Sequence, residues 1–172
     1  MIKENTKKIA TLGVIAAFGA ILSYIEAIIS FGIFIPGVKL GLANLAVVIA
    51  LYIYGYKDAI IINIVRIIVV GLIFGNLFSI SFSIAGALIS YIVMALLKRL
   101  DIFSPIGVSV AGGVAHNVGQ LFIAALVIES YSVINYLPIL IFAGIVCGLV
   151  IGIVSHMMIK YLSVILRKRE VL

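Results

Sequence analysis

Few side chains in this sequence have the chemistry to bind or react, and most of them interrupt long apolar runs. Arg66 and Asn63 stand three residues apart in the run 59–76, so a helix puts them on one face. His116, Asn117 and Gln120 stand together in the run 103–128, with His116 and Gln120 four residues apart. Glu26 lies late in the first apolar run, Lys39 and Asn44 lie at the start of the second, and Asn76 ends the third. A guanidinium fork matches the two oxygens of a carboxylate or the oxygens of a phosphate. Glu26, Lys39, Asn44, Arg66, Asn76, His116, Asn117 and Gln120 are therefore the candidate substrate-binding residues. The expected ligand is small, with an anionic group near Arg66 and an apolar or aromatic body.

Each of these groups also has a purely structural use. Arg66 and Glu26 can pair to hold helices together, and Lys39 can snorkel to an interface. His116 can donate one interhelical hydrogen bond, and Asn44, Asn63 and Asn117 can glue helices. His156 is assigned a structural role.

Other chemistries lack their residues. No Gly-rich loop ends in Lys-Ser or Lys-Thr, so the chain does not itself drive transport with a nucleotide. There is no HExxH and no Cys/His cluster for a metal. Asp occurs only at Asp58 and Asp101, too scattered to hold magnesium against a diphosphate. The single Cys147 cannot form a disulfide within the chain. No catalytic residue, metal or cofactor is assigned, and the chain is expected not to be an enzyme.

The positioning elements follow from composition. The chain has 172 residues, 65% of them hydrophobic and 10% charged, with mean hydropathy +1.40. A soluble domain needs about 25% charged residues to cover its surface. The expected architecture is an all-α, polytopic membrane protein, one transmembrane domain over residues 1–172. Crossing the hydrocarbon takes about 20 apolar residues. Six spans fit, at 9–30, 39–55, 59–76, 79–97, 103–128 and 138–163. With the N terminus inside, Lys3, Lys7, Lys8, Lys57, Lys98, Arg99, Arg167, Lys168 and Arg169 all fall on the cytoplasmic side. Both termini are then cytoplasmic, and the net charge of +6 reflects lipid anchoring rather than a nucleic-acid partner. The first run is long enough to span and is read as retained, not as a cleaved signal. In this frame most candidate residues converge on the outer half of the bundle, which suggests a pocket open to the outside. Small residues recur on span faces: Gly13, Ala16, Ala20, Ser23 and Ala27 in the first, Ala111, Ala115 and Gly119 in the fifth, Gly144, Gly148 and Gly152 in the last. Such stripes allow close helix approach, either within the chain or to a partner subunit.

Three stretches are distinctive in combination. They are Pro36-Gly37-Val38-Lys39-Leu40-Gly41-Leu42-Ala43-Asn44-Leu45, then Arg66 followed by Gly71-Leu72-Ile73-Phe74-Gly75-Asn76, then Gly107-Val108-Ser109-Val110-Ala111-Gly112-Gly113-Val114-Ala115-His116-Asn117-Val118-Gly119-Gln120. Together they resemble the family labelled both Gx transporter and heptaprenyl diphosphate synthase component I, over about residues 9–160. That family is similar to the substrate-binding S components of energy-coupling factor (ECF) transporters. The resemblance implies a six-helix bundle in the bacterial plasma membrane that captures a small molecule at its outer face. It also implies docking through small residues of the first helix, matched here by Ala16 and Ala20, onto a transmembrane coupling subunit with ATPases. The synthase label implies the alternative, a non-catalytic membrane accessory subunit of heptaprenyl diphosphate synthase in quinone biosynthesis.

Overall fold

Backbone amides in hydrocarbon have no water to bond, so an apolar chain satisfies them internally by forming helices. The computed structural model describes residues 2–33, 41–129 and 131–170, and no strand occurs among them. The helices are α1 (Ile2–Ile33), α2 (Asn44–Ile53), α3 (Tyr56–Phe74), α4 (Leu77–Leu100), α5 (Pro105–Ile128) and α6 (Leu137–Glu170), with a 3₁₀ segment at Tyr131–Tyr136. Four of them, α1, α4, α5 and α6, are long and apolar enough to cross a membrane, which makes the chain a multi-pass membrane protein. The other two differ from a simple span. α3 has 19 residues but carries Lys57, Asp58 and Arg66. α2 has 10 residues, about 15 Å at about 1.5 Å per residue, against a hydrocarbon core of about 30 Å. The span expected at 39–55 is thus helical only from Asn44 to Ile53 among the described residues. Lys39, at its expected start, lies outside them.

The helix ends have local causes. Gly55 adopts φ +92°, a left-handed angle open to glycine, and turns α2 directly into α3. The side chain of Asn76 caps α4 by accepting from the Ser79 amide, and Ser104 caps α5 ahead of Pro105.

Contacts along the helices fix their directions. Lys8 meets Asp58 near the starts of α1 and α3, and Ser23 meets Arg66 further along both, so these two run parallel. The Tyr91 hydroxyl donates to the Tyr56 carbonyl and the Asn63 amide to the Ala87 carbonyl, so α4 runs against α3. α5 and α6 are antiparallel and the most tightly joined. A Cβ on Gly144, Gly148 or Gly152 would stand 2.8, 2.7 or 2.8 Å from the Cα of Val114, Val110 or Ile106. Glycine is needed there because two helix backbones touch.

α2 sits in the middle. Every residue from Ala43 to Leu51 is buried, as expected of a short helix that is apolar all round. Val47, Val48, Ala50 and Leu51 pack with Ile15, Ile62, Met94 and Val108, while Leu45 and Ile49 pack with Ile151. Large apolar side chains such as Val14, Leu72, Leu77 and Phe142 face outward, where a lipid environment suits them.

Candidate ligand cavity

The polar groups of α1, α3 and α5 meet where α2 begins. A cavity of about 40 Å³ lies there, lined by Ser23 and Glu26 of α1, Gly41 and Asn44, Arg66 of α3, Ser79 and Ser83 of α4, and His116 of α5. Apolar wall comes from Ala27, Ile67, Val70 and Phe74.

Arg66 is the only cation lining it among the described residues, and it is 6% exposed. Its Nε and Nη2 donate to Asn63 Oδ1 at 3.1 and 2.7 Å, and its Nη1 donates to Ser23 Oγ at 3.0 Å. A guanidinium carries five N–H donors, so two remain after these bonds. The helix register explains the Asn63 contact, since side chains three apart are neighbours. Gly19 admits Arg66 against α1: a Cβ there would lie 3.4 Å from Arg66 Cδ and 2.9 Å from Ala46 Cβ. Glu26 lies close enough to act on Arg66 through its charge, and its Oε1 accepts the Gly41 amide. Gly41 adopts φ +80°, which brings the chain before α2 back toward α1.

Asn44 opens α2 and is 4% exposed. Neither Nδ2 nor Oδ1 has a hydrogen-bond partner among the described residues. Native proteins rarely leave a buried amide so, because the lost water bonds cost about 1–3 kcal/mol.

Of the eight candidates, Glu26, Asn44, Arg66 and His116 line this one cavity. Three of the other four do not line it, and the fourth is undescribed. Asn117 is buried but points to α6, donating to the Leu140 carbonyl at 2.9 Å. Gln120 packs against α4, where a Cβ on Gly86 would come 2.8 Å from its Cγ. Asn76 is exposed and caps α4, accepting from the Ser79 amide at 2.8 Å. Lys39 lies outside the described residues. Ser23, Ser79 and Ser83 are lining residues that the sequence reading did not select. For Ser23 a signal existed, because it stands three residues before Glu26 and so shares its face.

Ala16 and Ala20 are half-buried, and Ala16 packs on the core around α2. The open side of α1 carries Gly13, Val14, Ala17 and Ile21 instead. A Cβ on Gly13 would meet nothing within 4 Å.

At the far end of α2 the arrangement is different. Lys98 Nζ donates to the Leu51 carbonyl and sits 5.1 and 4.9 Å from the ring centroids of Tyr52 and Tyr56. His156 and Lys160 are exposed on α6. Among the described residues no group of three or more His, Cys, Asp or Glu is placed to hold a metal ion.

No curated protein and no solved structure matches the chain. A family model described as heptaprenyl diphosphate synthase component I matches residues 15–158, a stretch running from α1 through α6 and enclosing the whole cavity, and the chain belongs to that family.

Proposed function

We propose that this chain is the substrate-binding membrane component of an uptake transporter, capturing a small ligand with an anionic group from the outer side. The observation that carries the reading is the cavity itself. It combines a buried guanidinium with two N–H donors remaining and a buried amide without a partner among the described residues. In this reading the chain crosses the bilayer six times and both termini are cytoplasmic. Lys7, Lys8, Lys57, Lys98 and Arg99 gather at the end away from the cavity, which fits the excess of Lys and Arg on the cytoplasmic side. α3 crosses because its charges sit at its start or are buried against α1, and the second crossing is made by the stretch 39–55, of which α2 covers about half the hydrocarbon depth. The membrane is the bacterial plasma membrane. The chain binds without catalysing, and energy comes from a transmembrane coupling subunit with ATPases. That subunit meets α1 on the face of Gly13 and Ala17, with Ala16 and Ala20 at its edge.

Native mass spectrometry of the purified protein tests capture directly, by weighing what it retains. Arg66→Ala is expected to lower affinity for that ligand about tenfold to hundredfold, the worth of hydrogen bonds to a charged group. Unchanged affinity would remove Arg66 from the site and sink the reading.

Family membership favours a second reading, a non-catalytic membrane partner of a prenyl diphosphate synthase. Co-purification separates the two. An ATPase-bearing complex supports transport, and a soluble synthase bound to the chain supports the accessory role.

A further inference from the structure

We infer that Asn63 is a positioning residue: it holds Arg66 by the Nε side of its guanidinium, so that an anion is taken end-on, by one N–H from each Nη. The inference deepens the capture reading and rests on it.

The count of donors comes first. A guanidinium has one N–H on Nε and two on each Nη. It can grip two oxygens in parallel through Nε and one Nη, or through both Nη. In Arg66 the single N–H of Nε goes to Asn63 Oδ1 at 3.1 Å, and one of Nη2 goes to the same oxygen at 2.7 Å. One of Nη1 goes to Ser23 Oγ at 3.0 Å. The first grip is therefore closed, and the second keeps one donor on each nitrogen.

Asn63 is itself fixed in direction. Its amide presents an oxygen at one end and two N–H donors at the other. Nδ2 donates to the Ala87 carbonyl of α4 at 3.4 Å, so Oδ1 faces Arg66. Turned end for end, the amide would set its donors against a cation and its oxygen against a carbonyl. Ser23 is held in a similar way. Its hydroxyl donates to the Gly19 carbonyl at 3.0 Å, so a lone pair meets Nη1. Both partners act as acceptors toward Arg66, and through them one side chain is tied to α1, α3 and α4.

Placement agrees. Asn63 is buried and does not line the cavity, whereas Arg66 and Ser23 do. The Nε side is thus turned toward the helix contacts and away from the cavity. An arginine side chain has much rotamer freedom to lose, and ordering it costs free energy. Asn63 orders it before an anion arrives, which favours binding.

The test follows nitrogen-labelled arginine by NMR in the purified full chain in lipid nanodiscs. Acetate and inorganic phosphate are the probes, in separate titrations. The chain has four arginines, Arg66, Arg99, Arg167 and Arg169, and the signals missing from Arg66→Lys are those of Arg66. With acetate, with phosphate or with both, the Arg66 Nη signals are expected to shift while the Nε signal stays nearly in place. Asn63→Leu keeps the approximate volume and removes the oxygen. Half-saturation is then expected at about tenfold higher probe concentration, the worth of about one hydrogen bond to a charged group, and Nε is expected to shift along with Nη. Asn63→Asp returns an oxygen to Nε, so its signal should again stay in place, a rescue that a general loss of packing would not show. Should Asn63→Leu fail to fold, Asn63→Ala carries the same comparison. A wild-type Nε shift as large as the Nη shifts, no shift with either probe, or undiminished affinity in the Leu or Ala variant overturns the inference. If native mass spectrometry still finds a retained ligand that Arg66→Ala loses, capture stands and only the end-on grip is wrong.

Discussion

α2 presents its two ends to two basic residues, and they are treated in opposite ways. At its C terminus Lys98 donates to the Leu51 carbonyl, one of the last carbonyls that a helix leaves without a backbone partner. The same ammonium lies between the rings of Tyr52 and Tyr56, so its charge is met by a helix dipole and two aromatic faces. At the N terminus Ala43 brings no side chain to cap the helix. The amide of Asn44 has no partner among the described residues, and Arg66 has more donors than its bonds to Asn63 and Ser23 use. About 15 Å of helix separates a saturated polar site from an unsaturated one. The protein completes the first by itself, which is what a structural contact requires. The second is left incomplete by the described residues, and it is there that we propose the ligand binds.

The largest expected effect removes both ends together. Gly148→Leu would place a side chain where even a Cβ stands 2.7 Å from Val110 Cα and 2.9 Å from the Ser109 carbonyl oxygen. Both obstacles are helix backbone, so α6 must move away from α5. Overpacking costs about 1–3 kcal/mol where side chains can shift, and here the cost is expected at or above the top of that range. Size-exclusion chromatography after extraction should show aggregated or absent protein. A monodisperse, ligand-binding variant would mean that α2 and its two ends do not depend on this seam.

This seam, and much else, was legible in the sequence. The Gly144, Gly148, Gly152 spacing marks a close helix contact, although spacing alone does not say that the partner is α5 of the same chain. The long spans were legible from hydropathy, and α1 and α6 run past their expected ends because polar terminal residues continue a helix without needing lipid. α2 was the least legible element. An apolar run looks the same whether lipid or protein surrounds it, so hydropathy could not give its 10-residue length or its burial by the other helices. At the cavity, the convergence of Arg66, Glu26, Asn44 and His116 was legible because polar residues in apolar runs are rare. Asn76 and Asn117 satisfy the same rule but serve a helix cap and a carbonyl of α6. The rule detects cost and does not say which backbone group already offsets it. Serines are frequent and cheap in membrane helices, so Ser79 and Ser83 gave no signal.

A middle-sized effect sharpens the contrast between the two ends of α2. Lys98→Met keeps most of the aliphatic stem and removes the ammonium. The loss of the helix-end interaction and the cation–π contacts is expected to lower stability by about 1–2 kcal/mol, seen as a lower melting temperature in nanodiscs. Ligand affinity should stay within about twofold of wild type, because a change under about 0.4 kcal/mol leaves the N-terminal end of α2 in place. A tenfold loss of affinity would instead show that the saturated end sets the position of the unsaturated one through α2, and the two could no longer be treated as independent.

The smallest effect lies beyond both, at the pair formed by Lys8 of α1 and Asp58 of α3, 2.7 Å apart. Both residues are at the end of the bundle away from the cavity, yet α1 and α3 are also the helices that bring Ser23 to Arg66. Lys8 is 47% exposed and Asp58 15%, so solvent and salt weaken the pair to about 0–1 kcal/mol. Asp58 also lies in the first turn of α3, where a negative charge gains about 0.3–1 kcal/mol from the helix dipole. Lys8→Gln removes only the pair, whereas Asp58→Asn removes the pair and the dipole interaction. Asp58→Asn should therefore be the more destabilising of the two, and the double variant should match it, because the pair can be lost only once. Melting temperatures of the three variants at low and at high salt measure this, with the Lys8→Gln effect fading as salt rises. If Lys8→Gln instead reduced ligand affinity, the ion pair would be holding α1 in register with α3 as far as Ser23. The polar end would then depend on a surface contact at the opposite end, and the independence of the two ends would be lost from the outside rather than through α2.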